Sequence, residues 1–355
     1  MFKALIRKVL PRSAIVSLKK NREDVRLLLL SLFAKSPFLS SLYYTLVSRE
    51  FRREQHAVLN GRLTYYKTHQ SLANTASSAL LRRNTHRLEK GLIMRPRRPV
   101  FAEQYIQETV EAFAKMVNSR TSCEQELKWA TDVLTDYFDV VEPTAVVTSA
   151  RNVFEATGRR GDSGYVPYTD SDRSRSQIDD LQLELLFRQR RSTRWFRQSS
   201  VEDDKLDRAI QLASWAPSAC NRQPFRFFVA NGNEKAQQIA ELAVGTGGFV
   251  HNIPCTIAVV GELSAYPLER DRHLIYIDGS LAAMQLMLAL ETLGLASCPL
   301  NWPDIDFREK AIAERLELAP EQRVVMLIAI GYAEHTGKIP YSQKKTVESL
   351  RQDVK

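Results

Sequence analysis

The hydrophobic pattern changes character once along the chain. Up to residue 157 the apolar residues recur at helical spacing. Ile106, Val110, Phe113 and Val117 share one face, as do Leu127, Ala130, Val133 and Leu134. Ahead of them, Leu27–Leu32 and Phe38–Val47 read as two short helices, buried or lying on a bilayer surface, with burial the favoured fate of their apolar side chains. Arg26, Lys35 and Pro37 make Val25–Val47 a poor membrane span. His86-Arg87-Leu88-Glu89-Lys90-Gly91-Leu92 reads as a helix end with a glycine stop, and as a salt-bridged structural segment rather than a catalytic histidine site. From Gly158 to Gln177 periodicity fades among Gly, Ser, Asp and Arg, which predicts a linker or exposed loop.

Beyond residue 178 helical and strand-like runs alternate. Leu181–Arg190 is a helical run. Ser199 or Ser200, followed by Glu202 or Asp203, has the form of a capping box. It precedes a helix with Leu206, Ala209, Ile210 and Ala213 as its inward stripe and Pro217 at its end. Phe225–Ala230 reads as a strand and Glu234–Val244 as a helix. Thr256–Val260 and Val324–Ile330 are continuous apolar runs suited to strands covered on both faces. Between them a long helix carries Asp278 near its start, then Leu281, Met284, Leu288 and Leu293, with Gly294 as its stop. The fold class expected is α+β, in three parts: a basic, mainly helical N-terminal region (1–157), a linker or exposed loop (158–177), and a C-terminal domain (178–355).

Composition narrows the class. A chain of 355 residues can bury a sizeable core, and 44% hydrophobic with 26% charged residues is ordinary for a soluble globular protein. Cys123, Cys220, Cys255 and Cys298 stand far apart with no CxxC pair, which argues against a zinc site or a redox dithiol; no metal site is expected. The N-terminus lacks a long apolar run with a small-residue cleavage site, so the expected location is cytoplasmic. Charge is uneven. Residues 1–100 hold 21 Lys and Arg against 5 Asp and Glu, a net +16, while residues 101–355 carry −7. A basic third on a mildly acidic body suits an anionic membrane surface or an acidic protein partner; a solvated basic face is the equal alternative. Nucleic acid fits less well, because the chain has no zinc-finger, RNP-like or recognition-helix pattern.

Candidate chemistry sits in two short segments. Arg190-Arg191-Ser192-Thr193-Arg194 offers planar guanidinium forks and a hydroxyl, the donors a phosphate takes. Ala216-Pro217-Ser218-Ala219-Cys220-Asn221-Arg222-Gln223-Pro224-Phe225 is a polar turn between a helix and a strand, and its Asn221 can both donate and accept. Gly245-Thr246-Gly247-Gly248 follows a helical run and lacks a third glycine at the required spacing, so it is a turn and not a dinucleotide loop. The sequence carries no catalytic triad, metal cluster or Walker loop. A bound cofactor is therefore expected to carry the chemistry, and no side chain is singled out as catalytic.

Residues 185–348 resemble the FMN-dependent nitroreductase family, in order and nearly in spacing. Arg190, Ser192 and Arg194 match the family's Arg-x-Ser-x-Lys/Arg segment, with Arg191 inside it, which grips the flavin phosphate and ring edge. Pro217, Ser218 and Asn221 match its Pro-Ser-x-x-Asn turn, with Ala219 inside it, which reaches the other subunit's flavin; Gln223 and Pro224 complete the pattern. The stretch from Asp278 through Gly294 to Cys298 is similar to the family's central dimer helix and its exit. Cys298, Pro299, Leu300 and Asn301 fall where family members contact the reactive flavin nitrogen through backbone, although the usual Pro-x-Glu-Gly variant is absent. Ile330-Gly331-Tyr332, with Lys344 and Lys345 behind it, resembles the last core strand and the basic phosphate-binding tail. Asn252 is a candidate for a further amide contact. The segment between Val260 and Asp278 leaves little room for the family's helical excursion over the active site. His86–Leu92 resembles nitroreductase-like proteins associated with surface-polysaccharide biosynthesis.

The resemblance implies a mixed, mainly antiparallel sheet flanked by helices and a homodimer with two FMN sites at its interface. It also implies NADH or NADPH as reductant and a small oxidised acceptor, such as a nitroaromatic or a quinone. The N-terminal region is then expected to govern location or access, since the recognised flavin residues all follow the linker. The competing reading is a non-catalytic flavin-binding or scaffold protein recruited through its basic N-terminal region. Under either reading, a peripheral position at the membrane is the alternative to a free cytoplasmic one.

Overall fold

Residues 24–33 form a helix (α1), and Ser36 caps the next, Pro37–Leu42 (α2), by accepting from the Leu39 amide at 3.2 Å. A π-helical turn, Tyr43–Val47, follows. These are the two short helices expected, but their side chains are not buried. Leu28 is 69% exposed, Phe38 71% and Leu46 75%. Ring contacts of Phe33 with Tyr43, Tyr43 with Tyr44 and Tyr44 with Phe51 cover only part of this surface, because so few helical turns cannot enclose one another. The computed structural model describes residues 24–71, 77–119 and 121–354, and the chain divides into two compact units at His56/Ala57.

The second unit takes in most of Arg52–Ser71 (α3) and then a helical layer: Ala79–Leu92 (α4), Ile106–Val117 (α5), Glu124–Val140 (α6) and Ala145–Glu155 (α7). The predicted stripes meet in one core, where Leu81, Leu88, Ile106, Val110, Phe113, Leu134 and Tyr137 are fully buried. Gly91 is not the helix stop. It lies inside α4, and a Cβ there would stand 2.4 Å from the Phe101 ring, so glycine is needed to admit that ring. The stretch 158–177 has one regular turn, Asp170–Asp172. Its first part is pinned to α6, where buried Asp132 accepts from the amides of Asp162 (3.1 Å) and Tyr165 (2.8 Å) and from Lys128 (3.0 Å).

The sheet follows. Its elements in order are Asp180–Gln189 (α8), Asp203–Ala213 (α9), Phe225–Asn231 (β1), Asn233–Ala240 (α10), Cys255–Glu262 (β2), Leu274–Thr292 (α11), Ala296–Leu300 (β3), Asp306–Leu316 (α12), Gln322–Gly331 (β4) and Val347–Leu350 (α13). The strand order is β1-β2-β4-β3, with every neighbouring pair antiparallel. The class is α+β, as expected. Both faces of β2 are covered: Ala258 and Val260 meet Ala236, Ile239 and Phe249, while Cys255, Ile257 and Val259 meet Ala209, Ala213, Leu286 and Leu290. Gly294, at φ +77°, ends α11 as predicted. Strand β3 was not foreseen; it lies at the sheet edge, where Pro299 is tolerated. The expected capping box before α9 does not form. Buried Val201 keeps the chain extended as far as Glu202, and the Glu202 carboxylate accepts from the Tyr332 hydroxyl at 2.6 Å.

Candidate functional site

Helix α8 ends at Arg190, and the chain then runs extended beside the sheet edge. Ser192 bridges Ser297 in parallel, with the Thr193 amide donating to the Ser297 carbonyl at 3.1 Å and the Arg197 amide to the Tyr332 carbonyl at 2.8 Å. Asn252 fixes this segment. Its Oδ1 accepts from the Phe196 amide at 2.8 Å, and its Nδ2 donates to the carbonyls of Arg194, at 3.1 Å, and Phe249. Those bonds occupy the amide at a buried position, so Asn252 supports the Arg194 segment and is not a free ligand.

Held this way, Arg190, Arg191, Ser192 and Arg194 line a cavity of about 80 Å³ with Ile339, Pro340, Ser342 and Lys344. Among the described residues none of these four cations is ion-paired with a carboxylate. The Ser297 hydroxyl, on the strand beside Ser192, is buried without a partner among the described residues. Unpaired cations converging on a small concavity, next to an orphan hydroxyl, fit the phosphate of a flavin mononucleotide. Burial pushes the Cys298 thiol up, against the opposing pull of Arg194, Ser192 and Arg190, which places Cys298 beside the same group. The other predicted residues lie outside the cavity. Lys345 is exposed, Leu300 is buried in β3, Pro299 faces outward, and Asn301 accepts from the Val244 amide at 3.2 Å.

The second segment forms a strained turn. Cys220, Asn221 and Gln223 all adopt left-handed backbone, at φ +53°, +50° and +50°. For non-glycine residues each such conformation costs about 1–3 kcal/mol unless the surroundings hold it. The Asp278 carboxylate, buried at the sheet side, accepts from Ser218 Oγ at 2.7 Å and from the Ala219 amide at 2.9 Å. Ser218 Oγ in turn accepts from the Gln223 amide at 2.8 Å, closing the turn across its base. From the helical layer, Arg82 Nε donates to the Asn221 carbonyl at 2.9 Å, and Arg82 Nη1 to Glu126 at 3.1 Å. The Asn221 side-chain amide makes no hydrogen bond among the described residues and is half-buried. Pro217, Ser218, Ala219 and Asn221 do not line the cation cavity of their own chain.

Three residues of this arrangement were not singled out as site residues. Asp278 was visible as a lone carboxylate in an apolar run but read only as a helix start. Arg82 and Glu126 had no signal: Arg82 is one of many N-terminal cations and stands 139 positions from Asn221. The histidine of His86–Leu92 behaves as the structural reading expected. His86 Nδ1 lies 3.3 Å from Glu89, which also accepts from the Trp129 indole at 3.0 Å, and Arg82 stacks over that indole. A roomier cleft of about 460 Å³ adjoins the strained turn through Arg222, Gln223, Pro224 and Phe225.

The family model described as the nitroreductase family matches residues 187–247 and 236–332. A candidate NADH dehydrogenase/NAD(P)H nitroreductase of Archaeoglobus fulgidus is 30% identical over 145 residues, covering 40% of this chain and 80% of its own. This chain belongs to the nitroreductase family. A candidate NAD(P)H nitroreductase of Bacillus subtilis is 28% identical over 177 residues, 40% of this chain and 83% of its own. Among solved structures, an FMN-dependent nitroreductase of Clostridium difficile is 28% identical, with a TM-score of 0.38 over 44% of this chain and 91% of its own. In this nitroreductase the matched region begins at the last turns of α8 and ends just beyond β4, spanning both candidate segments.

Proposed function

We propose that this nitroreductase is an FMN-dependent enzyme that oxidises NADH or NADPH and reduces a small acceptor, such as a nitroaromatic, a quinone or another oxidised metabolite. The observation that carries the reading is the cavity lined by Arg190, Arg191, Arg194 and Lys344, none of them in ion-pair contact with a carboxylate among the described residues, on a segment whose Ser192 pairs with Ser297. When bound, FMN would supply the redox chemistry: acceptance of a hydride from the nicotinamide, then transfer of two electrons with protons to the acceptor. The guanidinium forks hold its phosphate, Ser192 adds a short contact, and β3 offers backbone groups along the edge. The test is anaerobic mixing of FMN-loaded protein with NADH or NADPH. Loss of the oxidised flavin absorbance near catalytic speed supports the enzyme. Bound flavin that neither nicotinamide reduces supports the scaffold alternative.

The homodimer belongs to the same proposal. Ile277, Leu281 and Met284 form an exposed apolar stripe on α11 at helical spacing, and α8 exposes Leu181, Leu185 and Phe187. A second copy would cover both and bring an Asn221 turn to the neighbouring cation cavity. The exposed apolar residues of 24–47, within a strongly basic N-terminal third, support attachment to an anionic membrane. Leu28→Asp with Phe38→Asp is expected to abolish cosedimentation with phosphatidylserine vesicles. Binding that persists in this variant contradicts the attachment.

A further inference from the structure

The helical layer reaches the flavin-facing turn directly, and the reach is charged and buried. Glu126 is 5% exposed and accepts three bonds: from Ser77 Oγ at 2.6 Å, from the Ser78 amide at 3.0 Å and from Arg82 at 3.1 Å. The first two anchor the start of α4; the third aims the Arg82 fork. The other arm of that fork donates to the Asn221 carbonyl. Asp278 grips the same turn from the sheet, at Ser218 and Ala219. Left-handed Cys220 lies between the two grips, and left-handed Asn221 is held by the second. The Ser218–Gln223 bond closes the base of the turn but leaves the Asn221 carbonyl to Arg82, so loss of that bond would let the strained tip relax.

We propose that Arg82, aimed by Glu126, is a positioning residue for Asn221, so that the helical layer and not the sheet alone sets how that amide is presented to flavin. The inference rests on the FMN reading above. It gives the region before the linker a contact with a candidate flavin segment, beside the expected role in location or access. An arginine is needed because one planar group serves an acceptor on each side; a lysine ammonium keeps the charge beside Glu126 but cannot span both acceptors in that geometry. Asn221 keeps its side-chain amide for the ligand because its carbonyl, not its side chain, is what the layer holds.

The experiment uses the full chain and the variants Arg82→Gln, Arg82→Lys and Glu126→Gln. Hydrogen–deuterium exchange is measured on cofactor-free protein, followed by FMN titration and the flavin midpoint potential. Arg82→Gln is expected to speed exchange across residues 219–223 while the central strands stay protected, to weaken FMN binding by about tenfold or more, and to shift the potential. Arg82→Lys should fall between it and wild type, and Glu126→Gln should loosen the same turn less. If Arg82→Gln does not fold, the other two variants carry the same comparison. Unchanged exchange at 219–223 in the folded variants overturns the hold. A loosened turn with unchanged FMN affinity and potential overturns its role toward flavin. If wild-type protein takes no FMN, the cofactor reading fails, and the exchange result still decides whether Arg82 fixes the turn.

Discussion

At the scale of residues, the cation cavity proposed to take a phosphate was legible because its donors are nearly contiguous. Arg190, Arg191, Ser192 and Arg194 come from one short stretch, and all four line one cavity. Lys344 was reachable as part of a basic tail, but its neighbour Lys345 carries the same charge and lies outside the cavity. Side-chain direction separates the two, and residue type does not record direction. Asn252 was misread for a related reason. An asparagine near a site can serve the ligand or the scaffold, and only its three hydrogen bonds to backbone show the second. Arg190→Ala and Arg194→Ala are each expected to weaken FMN binding by about 1.5–3 kcal/mol, roughly ten- to a hundredfold in Kd, with unfolding temperature nearly unchanged. Calorimetric titration of both variants checks this, and unchanged affinity in both would remove the phosphate assignment.

At the scale of elements, most helices and the two central strands were readable from period alone, because each has an apolar face long enough to register. β3 was not: its residues are short and interrupted by Pro299, and only pairing with β4 makes them a strand. α11 was read as a long apolar helix similar to the family's central dimer helix; its inner face packs on the sheet with Ala283, Leu286 and Leu290 buried. Its outer face keeps Ile277, Leu281 and Met284 exposed, an arrangement that leaves apolar area in water unless a second copy covers it. Leu281→Asp is therefore expected to yield monomers by light scattering at micromolar concentration, with FMN binding reduced in parallel. A dimer that persists in the variant at wild-type stability would place the interface elsewhere.

At the scale of the whole molecule, charge asymmetry announced that the N-terminal region differs from the rest, but not what it touches. The compact division falls at His56/Ala57, and the helices from α4 to α7 share a unit with the sheet. Long-range pairing explains why this was invisible: contacts such as Arg82 with Asn221 join positions whose local patterns are independent. The same unit therefore carries two candidate half-sites, a cation cavity and a braced amide turn whose residues do not line that cavity. In the proposed FMN dimer each cavity would be completed by the turn of the neighbour.

The central claim is that these half-sites assemble around FMN, and titration of FMN into cofactor-free protein with the molar mass followed in parallel tests it most directly. One FMN per chain, bound by a dimer with quenched flavin fluorescence, is the predicted result. A folded protein that leaves FMN fluorescence unquenched at millimolar cofactor, or that binds it tightly as a monomer, would contradict the account.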